Sequence, residues 1–98
     1  MAYKISTTNQ FEKDLKRCIK RGYPMDCFRT VIQLLERDGR LPEEYHPHKL
    51  HGDRHGQWEC HIQPNWLLIW KQIDDELELL MLSTGTHSDL FGKKNKKR

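Results

Sequence analysis

A chain of 98 residues has room for one small core, and its 36% hydrophobic and 32% charged composition is that of a folded domain rather than a disordered or fibrous chain. The longest apolar run, Trp66 to Trp70, falls far short of the ~20 residues a membrane-spanning helix needs, and the polar N-terminal stretch lacks the pattern of a secretory signal, so a cytoplasmic location is the expectation. The formal net charge of +3 conceals an uneven distribution: +4 over residues 1–37, −6 over residues 38–92 and +5 over residues 93–98.

Residues Tyr3 to Thr7 alternate weakly and include β-branched Ile5, which predicts a short first strand. From Asn9 the period lengthens. Asn9 with Glu12 three residues on resembles a capping box, and Phe11, Leu15, Cys18 and Ile19 form one apolar helical stripe. The opposite face carries Lys13, Lys16, Arg17, Lys20 and Arg21, and Gly22 ends the helix. Pro24 and Asp26 open a second helix whose apolar positions Met25, Phe28, Val31, Ile32, Leu34 and Leu35 face inward until Gly39. The two make a helical hairpin.

Residues Leu41 to Gly56 hold two of the four prolines, two of the six glycines and four of the six histidines, with no strand or helix period, and read as an ordered loop. Three strand-like runs follow at Gln57–Gln63, Trp66–Ile73 and Glu76–Thr84, split by turn signals at Pro64-Asn65 and Asp74-Asp75. Such close spacing predicts an antiparallel meander. Thr86–Gly92 reads as a single turn, and Lys93–Arg98 as a basic, disordered tail. The prediction is an α+β domain over residues 1–92 in β-α-α-β-β-β order, its helical hairpin packed on one face of a small, mainly antiparallel four-stranded sheet.

Three cysteines at wide spacings, Cys18, Cys27 and Cys60, argue against a disulfide framework and read as reduced, mostly buried hydrophobes. The six histidines carry more information. Alternation along the first long strand sets Trp58, Cys60 and Ile62 on one face and Gln57, Glu59, His61 and Gln63 on the other. His61 therefore points away from the apolar side, and His48 and His87 lie at positions from which their side chains could converge on the same open face. Imidazoles with a reference pKa near 6.5 suit acid–base work on a phosphodiester. The competing reading is metal binding, since His46, His48 and His51 have H-x-H and H-x2-H spacings, but no closed four-ligand set emerges and no metal site or cofactor is expected.

The order His48-x-Leu50-x-Gly52, the block Trp58 to Trp70 with its H-I-x-P-x-W core, and the run Thr84-Gly85-Thr86-His87-Ser88-Asp89-Leu90-Phe91 together resemble the YafQ-type toxins of the RelE superfamily. The resemblance extends through Gly92. It implies a RelE-like fold and a type II toxin-antitoxin toxin: a ribosome-dependent endoribonuclease that cuts messenger RNA without a metal, through attack of the ribose 2′-hydroxyl. It also implies neutralisation by a cognate antitoxin of the DinJ/RelB kind, with operator DNA bound only by the toxin-antitoxin complex.

Position by position, the resemblance points to His87 as general acid, to His61 or His48 as base or orienter, and to Phe91 and Trp66 as a stacking or packing surface for an extruded base, with core packing the competing role of both aromatics. Asn65 stands where the family usually has an acid, and asparagine cannot serve as a base. Ser83 stands where many relatives have arginine, which leaves Lys49 and Arg54 as candidates to neutralise the phosphate. The basic helical face is the expected ribosome contact. These two departures keep an alternative in view: a catalytically weak or silent member of the fold that acts as an antitoxin-binding and autoregulatory partner.

Overall fold

The computed structural model describes residues 2–92. Met1 and the segment 93–98, read above as a tail, lie outside the described residues. Lys4–Thr7 form β1, and the chain turns at once into α1 (Asn9–Lys20) and α2 (Met25–Asp38). The cap of α1 sits one residue earlier than the sequence pattern suggested. Thr8, extended at ψ 164°, accepts the Phe11 N–H on its hydroxyl at 3.0 Å, while Asn9 is already helical and Glu12 takes the Thr7 hydroxyl at 2.6 Å. α2 ends at left-handed Gly39 (φ 68°), whose N–H returns to the Leu35 carbonyl at 2.8 Å. Glycine is required here on two counts, because a Cβ would also collide with the Tyr3 ring.

The buried stripe of α1 is rotated from the one expected. Phe11, Asp14 and Cys18 are buried, Leu15 is half-buried, and Ile19, predicted inward, is 53% exposed. A purely hydrophobic count misses the reason, which is that an acid, Asp14, holds the inward position three residues after Phe11.

The meander forms as expected: β3 (Gln57–Gln63), β4 (Trp66–Ile73) and β5 (Glu78–Gly85) pair antiparallel in sequence. β5 begins two residues later than predicted because Asp74–Glu76 wind into a 3-10 turn closed by left-handed Leu77 (φ 53°). The loop 41–56 is richer than its composition suggested. It contains 3-10 turns at Glu43–Tyr45 and Gly52–Arg54, and between them β2 (His48–Lys49), so the sheet has five strands rather than four. Two residues are too few for an alternation to register; this strand exists through its pairing, His48 opposite Glu59 and Lys49 opposite Trp58. The strand order is β1-β5-β4-β3-β2, with β1 parallel to β5 at one edge and every other pair antiparallel.

α1 lies along β5, and α2 contacts β3. The core between helices and sheet joins Phe11, Cys18, Val31 and Leu35 to Cys60 and Ile62 of β3, Trp66, Leu68 and Trp70 of β4, and Leu79 and Met81 of β5. Each fully buried large aliphatic or aromatic side chain contributes about 1.5–3 kcal/mol. Alternation leaves the odd-numbered residues of β3 and the first half of β4 on the other face of the sheet.

Candidate active site

The face away from the helices is organised in rows by the strand register. One row runs His48, Glu59, Ile69 and Ser83; the next runs His61, Leu67 and Gly85. Gly85 closes β5, and two residues on His87 opens α3 (His87–Leu90). At ~4.8 Å per strand, the backbones at the two ends of the second row, His61 and Gly85, lie about 10 Å apart across β4.

His48 sits between two acceptors, with Nδ1 3.1 Å from the His46 carbonyl and Nε2 3.1 Å from Glu59 Oε1. Both neighbours are acceptors, so the two ring nitrogens face the peptide oxygen and the carboxylate on opposite sides. His61 Nδ1 lies 3.2 Å from the Pro64 carbonyl, which can only accept. The proton of a neutral His61 is therefore on Nδ1, and Nε2 presents its lone pair. His46 stands edge-on to His61, ring centroids 5.6 Å apart. In the sequence His46 stands out only through its H-x-H spacing, because a backbone carbonyl that orients a neighbouring imidazole leaves no residue-type signal.

α3 is capped at Thr86 by a reciprocal box: the Thr86 hydroxyl accepts the Asp89 N–H at 3.1 Å, and Asp89 Oδ2 accepts the Thr86 N–H at 2.9 Å. His87 is exposed and its ring lies 4.9 Å from that of Phe91. Arg54 reaches from the second 3-10 turn, its guanidinium carbon 5.1 Å from the Phe91 centroid and its Nη1 3.4 Å from Gln57 Oε1. Arg54, Gln57 and Ser83 also line a cleft of about 510 Å³ shared with Gln10, Asp14 and Arg17. His48, His61, Arg54, His87 and Phe91 thus share one side of the sheet.

Other predicted site residues lie elsewhere. Trp66 takes the packing role rather than lying open: it is 1% exposed, packed edge-on against Tyr23 at 4.9 Å, with its indole N–H on Thr84 Oγ1 at 2.8 Å. Lys49 alternates to the helix side, its ammonium 5.7 Å from the Trp58 ring, away from His48. Asn65 is exposed in the β3–β4 turn, in a depression shared with Tyr23 and Thr86. Lys13, Lys16 and Lys20 are exposed around Ile19.

Arg17 and Arg21, expected on that same solvated face, instead turn towards acids. Arg21 grips Asp89 through two bonds of 2.7 and 3.2 Å, and Arg17 pairs with Asp14 at 3.1 Å. The Arg21 hydrogen bond holds the Asp89 carboxyl well below the usual carboxylate range, against the opposing effect of burial. Cys60 is fully buried and its thiol is pushed up to about 12 by burial and by neighbouring Glu59, which removes it as a nucleophile. Among the described residues no three His, Cys, Asp or Glu side chains are arranged to hold a metal ion.

Residues 3–92 match the model of the family described as bacterial toxin of type II toxin-antitoxin system, YafQ. The chain belongs to the YafQ toxin family. The mRNA interferase toxin YafQ of Escherichia coli K12 is 36% identical over 89 residues, spanning 90% of this chain and 95% of that one. The crystal structure of the E. coli DinJ-YafQ toxin-antitoxin complex superposes with a TM-score of 0.85 at 34% identity, over 94% of this chain and 100% of that one. A metal-bound toxin from Helicobacter pylori superposes at 0.82 with 33% identity, over 93% and 100%. These neighbours share the fold described above, two helices on a mixed sheet.

Proposed function

We propose that the protein is the toxin of a type II pair and works as a ribosome-dependent mRNA endoribonuclease. One observation carries this reading: His48, Arg54, His61 and the His87–Phe91 pair, from four separate segments, share the sheet face that the helices leave open. Its similarity to an enzyme named mRNA interferase supports the same activity.

The cleavage divides among these groups. His61 Nε2 takes the proton of the ribose 2′-hydroxyl, the 2′-oxygen bonds to phosphorus, and the bond from phosphorus to the 5′-oxygen breaks. His87, protonated, gives its proton to that leaving oxygen, and the products are a 2′,3′-cyclic phosphate and a 5′-hydroxyl. General base and general acid each contribute about 10²–10⁴-fold. The guanidinium of Arg54 supplies positive charge to the pentacoordinate phosphorus, the work that an arginine at Ser83 does in many relatives, and His48, held by Glu59, stands ready to orient the ribose or share the base's work. Phe91, beside His87, offers an aromatic face for an unstacked base.

Lys13, Lys16 and Lys20 fit a contact with ribosomal RNA phosphates. A relative solved as a DinJ-YafQ complex supports an antitoxin of that kind for this chain. An acidic segment that folds as it wraps the basic helix fits the charges, inhibiting by excluding the toxin from the ribosome, with operator DNA bound only by the complex. The deciding experiment is induced expression without antitoxin, which should arrest growth, with His87→Ala relieving the arrest while the fold persists. Purified protein should also cut free RNA, far more slowly than ribosome-bound message, in EDTA and with a bell-shaped pH profile whose limbs lie within about two units of 6.5. Absence of arrest by the wild type would favour a silent binding partner. Loss of cleavage in EDTA, restored by zinc, would favour metal chemistry.

A further inference from the structure

α3 has four residues, too few to hold a helix by backbone hydrogen bonds alone. Yet it carries His87, and Phe91 follows directly. What fixes it comes from α1. Asp89 accepts two bonds from Arg21, at 2.7 and 3.2 Å, and the Thr86 N–H at 2.9 Å, with Arg17 Nη1 at 3.8 Å from the same carboxylate. The other end of the Arg17 guanidinium is 3.1 Å from Asp14 Oδ1. Asp14 is 2% exposed, and its second oxygen accepts the backbone N–H of Thr84 at 3.2 Å. Thr84 in turn takes the Trp66 indole N–H and donates its hydroxyl to the Leu67 carbonyl at 2.7 Å.

One chain of charged groups therefore grips the protein on both sides of Gly85: at Thr84, through Asp14, and at α3, through Asp89. Gly85 itself is at φ 153°, and a Cβ on it would come within 2.8 Å of Asp89 Oδ2, so the carboxylate lies directly against the turn that aims His87. Arg54 lies over the ring of Phe91, directly after α3.

We propose that Asp89 is a positioning residue, held by Arg21 and bridged by Arg17 to Asp14, and that this clamp sets the direction of the His87 imidazole and of Phe91. The proposal rests on the reading of His87 as general acid. It also changes the reading of α1. Arg17 and Arg21 are structural partners of the site, and the free basic face is reduced to the three lysines. A bidentate fork on a carboxylate that is only 14% exposed is the geometry that converts charge into orientation. The depressed pKa of Asp89 keeps the clamp ionised across the range in which histidines titrate.

The test uses the full chain carrying Asp89→Ala, Asp89→Asn, Arg21→Met or Arg21→Lys, assayed for RNA cleavage and observed by NMR. Displacement of a catalytic group by about 1 Å costs on the order of 10²-fold. Asp89→Ala should therefore lower kcat about 100-fold with KM altered less than threefold. Asp89→Asn, which keeps an acceptor for the Thr86 N–H, should lose less, and Arg21→Lys should recover part of the loss seen in Arg21→Met. The His87 ring resonances should shift in Asp89→Ala, and amides 86–91 should lose hydrogen-exchange protection, while the β3–β5 amides keep theirs. Two results would overturn the proposal. One is an Arg21→Met variant with raised KM and unchanged kcat together with an Asp89→Ala variant that binds RNA more tightly, the signature of Arg21 as a phosphate contact. The other is an Asp89→Ala variant whose His87 resonances and exchange match the wild type. The NMR arms decide the clamp even if the wild type cuts no RNA, a result that would instead count against the proposed activity.

Discussion

The two faces of the sheet are made by the same strands and obey different constraints. On the helix side, Cys60, Ile62, Trp66, Leu68, Trp70, Leu79 and Met81 close against α1 and α2, where shape and volume decide what is tolerated. On the other side, His48 is exposed, His61 half-buried and Glu59 buried beneath His48, and hydrogen-bond partners orient each ring. Trp66 and His61, five residues apart in one motif, fall on opposite sides of this division. A motif that looks functional throughout is half packing.

Substitutions at these two positions should separate the faces most sharply. Trp66→Ala removes a fully buried indole and its bond to Thr84, and should cost about 3–5 kcal/mol, lowering the thermal midpoint or preventing folding. His61→Ala should leave the midpoint nearly unchanged, within about 0.5 kcal/mol, and lower RNA cleavage by about 10²–10⁴-fold. Equal loss of stability at both positions would abolish the distinction. Calorimetry and single-turnover kinetics on the same preparations measure it.

A smaller effect sharpens the comparison at the edge between the faces, where α1 meets α3. Because the folded-state pKa of Asp89 lies below its unfolded value near 3.9, the clamp adds stability at pH above that value and loses it progressively as pH falls below it. Thermal midpoints measured at pH 3 and pH 7 should therefore differ less in Asp89→Asn than in the wild type. An identical difference in both would mean that the Arg21 fork is not felt in solution. The smallest effect belongs to the solvated lysines. Replacing Lys13, Lys16 and Lys20 by alanine should leave the fold and free-RNA cleavage intact and weaken ribosome binding, with the log–log salt dependence reduced by about one per lost phosphate contact.

The meander is legible in the sequence because five consecutive apolar residues and two turn signals leave little freedom in β3 to β5. The alternation that turned His61 outward was readable for the same reason. β2 was not, since a two-residue strand has no period of its own and forms only where β3 presents an edge. Asp14 was hidden because an acid in an apolar stripe looks like an error until its partner, the Thr84 N–H, is in view. Asp89 was half legible: Thr86 and Asp89 have capping-box spacing within the G-T-H-S-D-L-F run, but Arg21 is 68 residues away in the chain.

By itself the sequence determined the order of elements, the inward and outward faces of the strands and the family, because these depend on local periods and on motifs carried within a few residues. Tertiary structure alone decided which cations are free and which are committed. Lys13, Lys16 and Lys20 remain in solvent, while Lys49 turns to the Trp58 side and Arg17 and Arg21 are tied to acids. The physical reason is that a charged side chain takes its role from whichever opposite charge or aromatic face the fold brings within a few ångströms, and those partners are distant in sequence.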